Sequence, residues 1–394
     1  MIRRRLTTSL TAALTTFLAC FTIAAATGPK APSQLCLNDS GNCGVDTGQK
    51  GGVKWHPGHY MLTYKGSPQS NLDSIRDEPY VIGAVRRYYW AQLETGEGVY
   101  DFSPIESDLK YLKSMPTPKR LVIQIFDRDY RSPTPVGVVP NYLLEDPRYG
   151  GKTGWYAERG SQWYGVAPTK NGFVARSWDP AVMDRWIALF RAIGNRFDKE
   201  PYLEAVSGNE TTTGFGGAIA PDFSKDKVAT QIKRFIDEVI PAFPRTNVVI
   251  YANHLTGQLP GIIEHCYEKR CAFGDVDTFP TGDYSPKSHG PTEGQRVVMG
   301  MEGGSGYAGK MPVMLMVSHP SLISHGPNTP EAIYKYAMEK LGATHLFWMR
   351  LVKTDAQTTQ YGWQHGIVPL IDAKRGKTNS DCPPNLRSAG CDTT

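Results

Sequence analysis

The sequence predicts an α/β fold, a (β/α)8 barrel of the TIM type, on two observations. First, eight short apolar runs alternate along the chain with amphipathic helices, which is typical of parallel strands joined by helices. Second, no strand candidate precedes the glycine fingerprint of a dinucleotide-binding domain, which weakens the alternative of an open doubly wound sheet. Eight units fit closure, and a closed barrel carries its functional site at the carboxyl ends of its strands.

The helices between the strand candidates have recognisable start and stop signals. Asp179-Pro180 and Thr329-Pro330 each combine a capping side chain with a proline at the first helical position. Gly342 ends the second of these helices. The predicted strands are His59–Tyr64, Tyr80–Tyr89, Arg120–Phe126, Leu203–Ser207, Asn247–Ala252, Asp275–Phe279, Pro312–Val317 and His345–Met349.

The two ends of the chain differ in composition from the segment between them. Arg3-Arg4-Arg5 precedes an apolar stretch, and Ala24 and Ala26 have the spacing of a cleavage site, so residues 1–26 are predicted to be a signal peptide. We expect a loose lead over residues 27–52, one catalytic barrel over residues 53–375 and a polar tail over residues 376–394. The predicted signal peptide indicates that the protein is secreted or periplasmic.

Six cysteines follow the signal peptide, and an even number in an oxidising compartment predicts disulfides. Six cysteines allow fifteen sets of pairs. Their grouping into three close pairs favours local bridges, which would staple the lead, one loop and the tail. The predicted bridges are Cys36–Cys43, Cys266–Cys271 and Cys382–Cys391.

The charge balance and hydropathy exclude two classes of partner. The chain has 43 Lys and Arg against 38 Asp and Glu, and removal of the three signal-peptide arginines leaves 40 against 38, a net charge of +2. This near balance argues against nucleic acid as a partner. No segment after the signal peptide is long and apolar enough to suggest a membrane partner. The oligomeric state is left open.

No cofactor and no metal ion is predicted. Gly304 to Lys310 has the spacing of a phosphate-binding loop, but Met311 and Pro312 replace the hydroxyl residue and the helix that must follow. The pair His56 and His59 lacks a third ligand nearby in the sequence.

Asn209-Glu210 is the most informative pair in the chain. It ends a short apolar strand candidate and precedes a glycine-rich segment, at the position where barrel enzymes carry functional side chains. A carboxylic acid there can protonate a leaving group, while the neighbouring amide holds a sugar hydroxyl. The pair is therefore a candidate for acid catalysis on a glycosidic bond, and an Asn-Glu pair in an ordinary strand-to-loop turn is the alternative.

Three segments resemble a known group of enzymes. Trp90 to Phe102 looks like the W-x-x-L-E-P-x-x-G-x-Y-D-F segment of β-galactosidase-like and related clan A glycoside hydrolases. Arg185-Trp186 through Asn209-Glu210 resembles their third helix, fourth strand and terminal Asn-Glu pair. Trp348, at the end of the last strand, matches the tryptophan that forms the floor of a sugar-binding subsite in these hydrolases. The resemblance implies a glycosidase acting on a polysaccharide or oligosaccharide, with Glu210 as the acid.

One departure from that group concerns the second carboxylate. The group's nucleophile is a glutamate at the end of strand 7, where this chain has Val317-Ser-His-Pro320. Asp277, at the end of the predicted sixth strand, is the favoured substitute. Glu302 is the alternative, either because the seventh strand is residues 297–301 or because a glycine-flanked acid in a long loop is typical of a mobile site segment. A non-catalytic carbohydrate-binding barrel, and a polysaccharide lyase or transglycosylase, stay open as other functions.

The predicted substrate-binding residues are polar or aromatic and lie near strand ends. Planar rings and hydrogen-bonding groups are what a sugar face requires. A long segment after strand 3 adds further aromatic residues, among them Trp155, Tyr156 and Trp163. The candidates are Asn209, Trp348, Arg87, Trp90, Asn253, His254 and Trp178.

Overall fold

A computed structural model describes residues 51–132, 134–150, 164–169, 172–213, 220, 222–280, 291–318, 328–350 and 361–394. Residues Gly51–Thr394 form one compact unit. The predicted signal peptide, the Cys36–Cys43 bridge and Trp155, Tyr156 and Trp163 lie outside the described residues. Within the described part, no helix has the length and apolar character needed to cross a membrane.

The central element is a closed barrel of eight parallel strands, which confirms the predicted (β/α)8 fold. Neighbouring strands in the barrel are neighbours in the chain, and the last strand pairs with the first. The strands are β1 (Gly58–Leu62), β2 (Val81–Tyr89), β3 (Arg120–Phe126), β4 (Leu203–Glu210), β5 (Asn247–Tyr251), β6 (Ala272–Asp275), β7 (Val313–Val317) and β8 (His345–Met349).

The α-helices follow the strands in the order expected for this fold. Asp179 and Thr329 cap two of them as predicted, because their side chains accept hydrogen bonds from the backbone N–H groups of Ala181 and Ala332. The helices are α1 (Trp90–Leu93), α2 (Ser103–Lys113), α3 (Asn141–Glu145), α4 (Pro180–Phe197), α5 (Lys225–Val239), α6 (Leu259–Glu268), α7 (Glu293–Val298), α8 (Pro330–Glu339) and α9 (Val368–Ala373).

Shorter elements lie outside the barrel wall. The strands are Val53–Lys54, Glu94–Gly96, Val99–Tyr100, Arg128–Asp129, Val166–Pro168, Phe173–Ala175 and Cys391–Asp392. The 3-10 turns are Gln69–Ile75, Pro147–Tyr149, Ile240–Ala242 and Pro384–Leu386, and Trp363–Ile367 is a π-helix.

Two layers of apolar side chains fill the barrel and its surroundings. The inner layer comes from alternate residues of the strands, including Val85, Val122 and Phe347. The outer layer lies between strands and helices and includes Leu346 and Trp348. Because side chains alternate along a strand, each strand's inner row leads directly to the mouth of the barrel.

Two of the predicted bridges lie within the described residues. Cys266 and Cys271 are at disulfide distance with their Cα atoms 5.0 Å apart, and the Cα atoms of Cys382 and Cys391 are 5.9 Å apart. The second bridge belongs to a packed C-terminal segment: Cys391–Asp392 pairs in parallel with Val53–Lys54. The tail is thereby fastened to the chain just before β1.

The segment that resembles clan A hydrolases forms a structural clip outside the barrel. Glu94 is fully buried, accepts a hydrogen bond from the Trp90 indole at 2.7 Å, and pairs with Arg185 of α4 at 2.5 Å. The Trp90 ring packs edge-on against Trp186, with ring centroids 4.7 Å apart. The resemblance in this segment therefore reflects how α1 is joined to α4.

Candidate functional site

A cavity of about 340 Å³ opens at the carboxyl ends of the barrel strands. This volume lies within the range of ordinary small-ligand pockets. Its walls come from β2, β3, β4 and β8 and from the residues that follow β1, β3, β6 and β7. The charged and amide side chains of its lining include Lys65, Arg87, Gln124, Asp129, Asn209 and Glu210.

Both members of the Asn209-Glu210 pair border this cavity. Strict alternation would send adjacent residues to opposite faces, but the pairing of β4 with β5 shifts register between Ser207 and Glu210. Such an irregularity bends the strand and redirects its side chains. The two predicted site residues therefore reach the same space.

Asn253 holds the Glu210 carboxyl group in position. Its Nδ2 donates to Glu210 Oε2 at 2.5 Å, and its own Oδ1 accepts from the backbone N–H of His254 at 2.9 Å and from Thr211 Oγ1 at 3.2 Å. Asn253 is fully buried. The structure thus joins two predicted site residues by a direct hydrogen bond.

Burial raises the pKa of Glu210 above its ordinary value, against the opposing effects of the Arg128 charge, the Asn253 hydrogen bond and the Arg87 charge. A carboxyl group removed from water favours its neutral form. A raised pKa is what a general acid requires, because the group must still hold its proton at the working pH.

The side-chain amide of Asn209 has an unused donor. Its Oδ1 accepts from the backbone N–H of Glu210 at 3.1 Å. Its Nδ2 is buried and has no hydrogen-bond partner within the described part of the chain. A buried donor without a partner is costly, and a ligand hydroxyl in the cavity would satisfy it.

Two aspartates follow one another at the end of β6. Asp275 is fully buried and accepts from Thr292 Oγ1 at 2.5 Å and from the backbone N–H of Asp277 at 2.9 Å. Burial raises the pKa of Asp275 to about 7. Burial, followed by the charges of Asp275 and Glu210, raises the pKa of Asp277 well above its usual range. Asp277 is half-buried.

The sixth strand differs from its prediction in a way that affects the site. It spans Ala272–Asp275, whereas Asp275–Phe279 was predicted, so Asp277 follows the strand and does not end it. Asp277 instead forms an isolated antiparallel bridge with Val317, the last residue of β7. The cavity wall here contains their neighbours Val276 and Ser318.

Arg87 borders the cavity, and the side chains that contact its guanidinium group are uncharged. Its Nε donates to Gln124 Oε1 at 2.8 Å, its Nη2 lies 3.6 Å from Met316 Sδ, and its guanidinium is 5.4 Å from the centre of the Phe126 ring. No carboxylate forms an ion pair with it among the described residues. Burial lowers the pKa of Arg87 to about 10.

Several charged residues at or next to the cavity were missed by the sequence analysis; Lys65, Arg128 and Asp129 border it. Asp127 and Arg128 form a two-pronged ion pair, with N–O distances of 2.7 and 3.0 Å, and Lys65 pairs with Asp129. The sequence pattern that could have identified the Asp127-Arg-Asp129 segment is its position directly after β3, at the carboxyl end of a barrel strand. The buried Asp275 was missed because strand 6 was predicted three residues too late.

Glu302 is not brought to this site. Residues 297–301 are not a strand: they include the end of α7, so Glu302 lies in the connection from α7 to β7, which leads to the opposite end of the barrel. It is exposed and pairs with Arg296 at 2.5 Å. The strand at residues 297–301, on which Glu302 was predicted to reach the site, is therefore not present, and the structure does not bring Glu302 to the mouth cavity.

Three predicted aromatic contacts are structural. Trp348 is fully buried in the outer layer, and its Nε1 donates to His59 Nδ1 at 3.0 Å, so it cannot floor a sugar subsite. Trp90 is buried in the clip described above. Trp178 is buried, donates to Asp222 Oδ2 at 3.1 Å and packs on Phe223. Of the eighth strand, Met349 is the residue that borders the cavity.

His254 follows β5 but its side chain is exposed and does not border the cavity. The prediction of His254 as a binding residue is therefore not supported by its position. No group of His, Cys, Asp and Glu side chains with metal-binding geometry occurs in the described ranges.

Solved structures share this fold. No family model and no curated protein matches the sequence. The structure is similar to the catalytic domain of β-amylase from Paenibacillus polymyxa, with a TM-score of 0.57, 7% identity and coverage of 82% of this chain and 100% of that one. It is similar to β-galactosidase from Bacillus circulans sp. alkalophilus, with a TM-score of 0.51, 13% identity and coverage of 82% and 56%.

A third similar structure is the exo-β-1,4-mannosidase from an Opitutaceae bacterium, strain TAV5, with a TM-score of 0.50 and 12% identity. The match covers 83% of this chain and 61% of that one. The expected resemblance to barrels of glycoside hydrolases is thus confirmed at the level of the fold. At these identities the likeness concerns architecture and does not transfer a substrate.

Proposed function

We propose that this protein is a secreted glycoside hydrolase that cleaves the O-glycosidic bonds of a polysaccharide or oligosaccharide. The observation that carries the proposal is Glu210, a carboxyl group with a raised pKa that borders the mouth cavity and is held by Asn253. Fold likeness to glycosidases is consistent with this reaction but would not suffice alone. The signal-like N-terminus and the local disulfides support secretion.

Glu210 is the general acid in this proposal. Its proton passes to the glycosidic oxygen as the bond to the anomeric carbon breaks, so that the leaving sugar departs as a neutral alcohol. Asn253 is a positioning residue, because it acts through Glu210. Asn209 binds a sugar hydroxyl through its buried Nδ2, which has no other partner among the described residues.

Asp277 is the second carboxylate. Its backbone bridge to Val317 brings it beside the end of β7, the position from which the resembling hydrolases supply their nucleophile. Once ionised, it either attacks the anomeric carbon or takes a proton from the attacking water. The two routes differ in carboxyl separation, about 5–5.5 Å for retention and about 6.5–9.5 Å for inversion. Asp275 supports Asp277 through its backbone N–H.

A non-catalytic carbohydrate-binding barrel is the second candidate, and one observation favours it. Val276 borders the cavity whereas Asp277 does not. If Asp277 cannot reach the anomeric carbon of a bound sugar, Glu210 would bind without catalysing cleavage. Binding of a glycan without any product would select this candidate.

The test is product release from a panel of plant, bacterial and animal polysaccharides, measured as new reducing ends together with absorbance near 235 nm. Hydrolysis gives reducing ends without new absorbance, whereas a lyase creates an absorbing double bond. Proton NMR of the first-formed sugar then distinguishes retention from inversion. Reducing ends that form equally with Glu210→Gln would contradict the proposal.

A further inference from the structure

Arg87 is a partly buried cation at the mouth cavity that forms no ion pair with an acidic side chain among the described residues. Lys65 is paired with Asp129, and Arg128 is paired with Asp127, so these two cations are already compensated. Arg87 has only a side-chain amide and a thioether as hydrogen-bond acceptors in the described part of the chain. No ion pair with a described residue compensates its charge, and it borders the same cavity as Glu210.

Neutral acceptors are a poor match for a guanidinium group. Arginine presents five N–H donors in a planar fork that fits two oxygens of one anion. Gln124 uses the Nε donor, and Met316 offers only a weak sulfur acceptor to Nη2. A partly desolvated charge is costly unless it is paired. The Nη donors therefore remain for an anion that enters the cavity.

The nearby acids do not serve as that anion. The Glu210 carboxyl group is hydrogen-bonded to Asn253, and no hydrogen bond joins it to Arg87. In its role as acid it is neutral before the reaction, so it adds no negative charge for Arg87 to bind. Arg131, which also borders the cavity and is exposed, adds a second positive charge.

We propose that Arg87 binds an acidic substituent of the sugar beside the scissile bond, so that the substrate is an acidic glycan bearing a carboxylate or sulfate group. This inference rests on the proposed function, because it assumes that the cavity holds a sugar. Gln124 holds the guanidinium through Nε, and Phe126 supports it from the inner row of β3. The Nη groups are then directed to the substrate anion.

The inference is tested by binding, which does not require turnover. Wild-type protein is titrated calorimetrically with D-glucuronate and D-glucose, and with D-galactose 6-sulfate and D-galactose. We expect one acidic sugar of the two to bind about tenfold or more tightly than its neutral counterpart, as a charge-assisted hydrogen bond requires. The arm that succeeds identifies the anion as a carboxylate or a sulfate.

Two variants distinguish Arg87 from general positive charge at the mouth. Arg87→Met should abolish the acidic preference, and Arg87→Lys, which keeps the charge without the fork, should retain only part of it. Arg131→Met removes an equal charge and should leave most of the preference. Equal binding of acidic and neutral sugars in both arms overturns the inference, as does a preference that survives Arg87→Met.

Failure of this inference differs from failure of the proposed function. Cleavage of neutral glycans at the same rate as acidic ones would overturn the inference alone. An Arg87-dependent preference in a protein that cleaves no glycan would overturn the hydrolase proposal and leave the anion site. A polyuronide and its carboxyl-reduced form provide the matched substrates for the first comparison.

Discussion

Asp277 forms an antiparallel β-bridge with Val317, the residue that ends β7. A second hydrogen bond of this connection runs from the Thr278 backbone N–H to the Met316 carbonyl at 3.2 Å. The chain after β6 thus crosses to the end of the next strand. A carboxylate carried by that connection can substitute for one carried by the strand itself, and this relationship is the basis of the proposed pair Glu210 and Asp277.

Asp277→Asn should lower kcat by about 10²–10⁴-fold, a loss of the size that acid–base groups contribute, even for a substrate with an activated leaving group. The reason is that the second carboxylate acts at the anomeric carbon, whatever the leaving group. Asp275→Asn is the matched control. Asp275 is fully buried and cannot touch the substrate, so its loss should be smaller. A larger loss for Asp275→Asn than for Asp277→Asn would contradict the role of Asp277 as the second carboxylate.

Asn253→Ala should move the upper limb of the pH–rate profile to higher pH. The Asn253 N–H stabilises ionised Glu210, so its removal raises the pKa of Glu210 further, and activity is lost as pH rises through that pKa. His254→Ala is the control, because this side chain is exposed beside the site. Profiles of kcat/KM from pH 4 to 9 provide the measurement. A downward shift in the Asn253 variant would contradict the assigned role.

A buried charge cluster at the other end of β4 should govern stability, not turnover. Glu204 is fully buried, with His56 Nδ1 at 2.8 Å, His345 Nε2 at 3.4 Å and Arg120 at 3.6 Å. Glu204→Gln should lower the free energy of unfolding at pH 7 by about 3–5 kcal/mol, the usual cost of breaking a buried pair. Urea denaturation measures this change.

The pH dependence of that loss follows from the sign of the pKa shift. The hydrogen bonds and charges of His345 and His56 hold the pKa of Glu204 well below its usual range, despite burial. Its contribution is present above the unfolded value of about 4.3 and is lost as pH falls below it. The difference between wild type and Glu204→Gln should therefore shrink at pH 3. Glu106→Gln, which breaks an exposed pair with Arg196, should cost about 1 kcal/mol at most.

Trp348→Phe should destabilise the fold by about 1–3 kcal/mol through the lost hydrogen bond to His59 and the smaller ring, while KM stays unchanged. Met349→Ala should raise KM, because Met349 borders the cavity. Thermal unfolding and steady-state kinetics of both variants provide the measurement. An increase in KM for Trp348→Phe alone would restore the sugar-floor role that the structure does not support.

Sequence patterns predicted the barrel well because strand runs and helix caps are local signals. The limits of Arg120–Phe126 and His345–Met349 agree with the structure. The orientation of Trp348 was not predictable, since all five residues of β8 are buried and show no alternation of polar and apolar positions.

Position at a strand end predicted which residues lie together at the cavity: Asn209, Glu210 and Arg87 border it, and Asn253 contacts Glu210. Their roles in binding and catalysis stay predictions. Strand 6 was misplaced because Val276, Thr278 and Phe279 are β-branched or aromatic residues of the kind that favour strands, although they follow the strand. Its position depends on a tertiary contact, because a Cβ atom on Gly274 would lie 2.6 Å from the Tyr251 ring. Such a contact between β5 and β6 is absent from local sequence patterns.

The most direct test of the account is the turnover of Glu210→Gln on two substrates that differ only in leaving group. On the natural glycan, the variant should lose about 10²–10⁴-fold in kcat, since the amide cannot donate the proton that the departing sugar requires. On the matching dinitrophenyl glycoside, whose leaving group needs no proton, the loss should be far smaller. Full activity of Glu210→Gln on the natural glycan would contradict the assignment of Glu210 as the general acid.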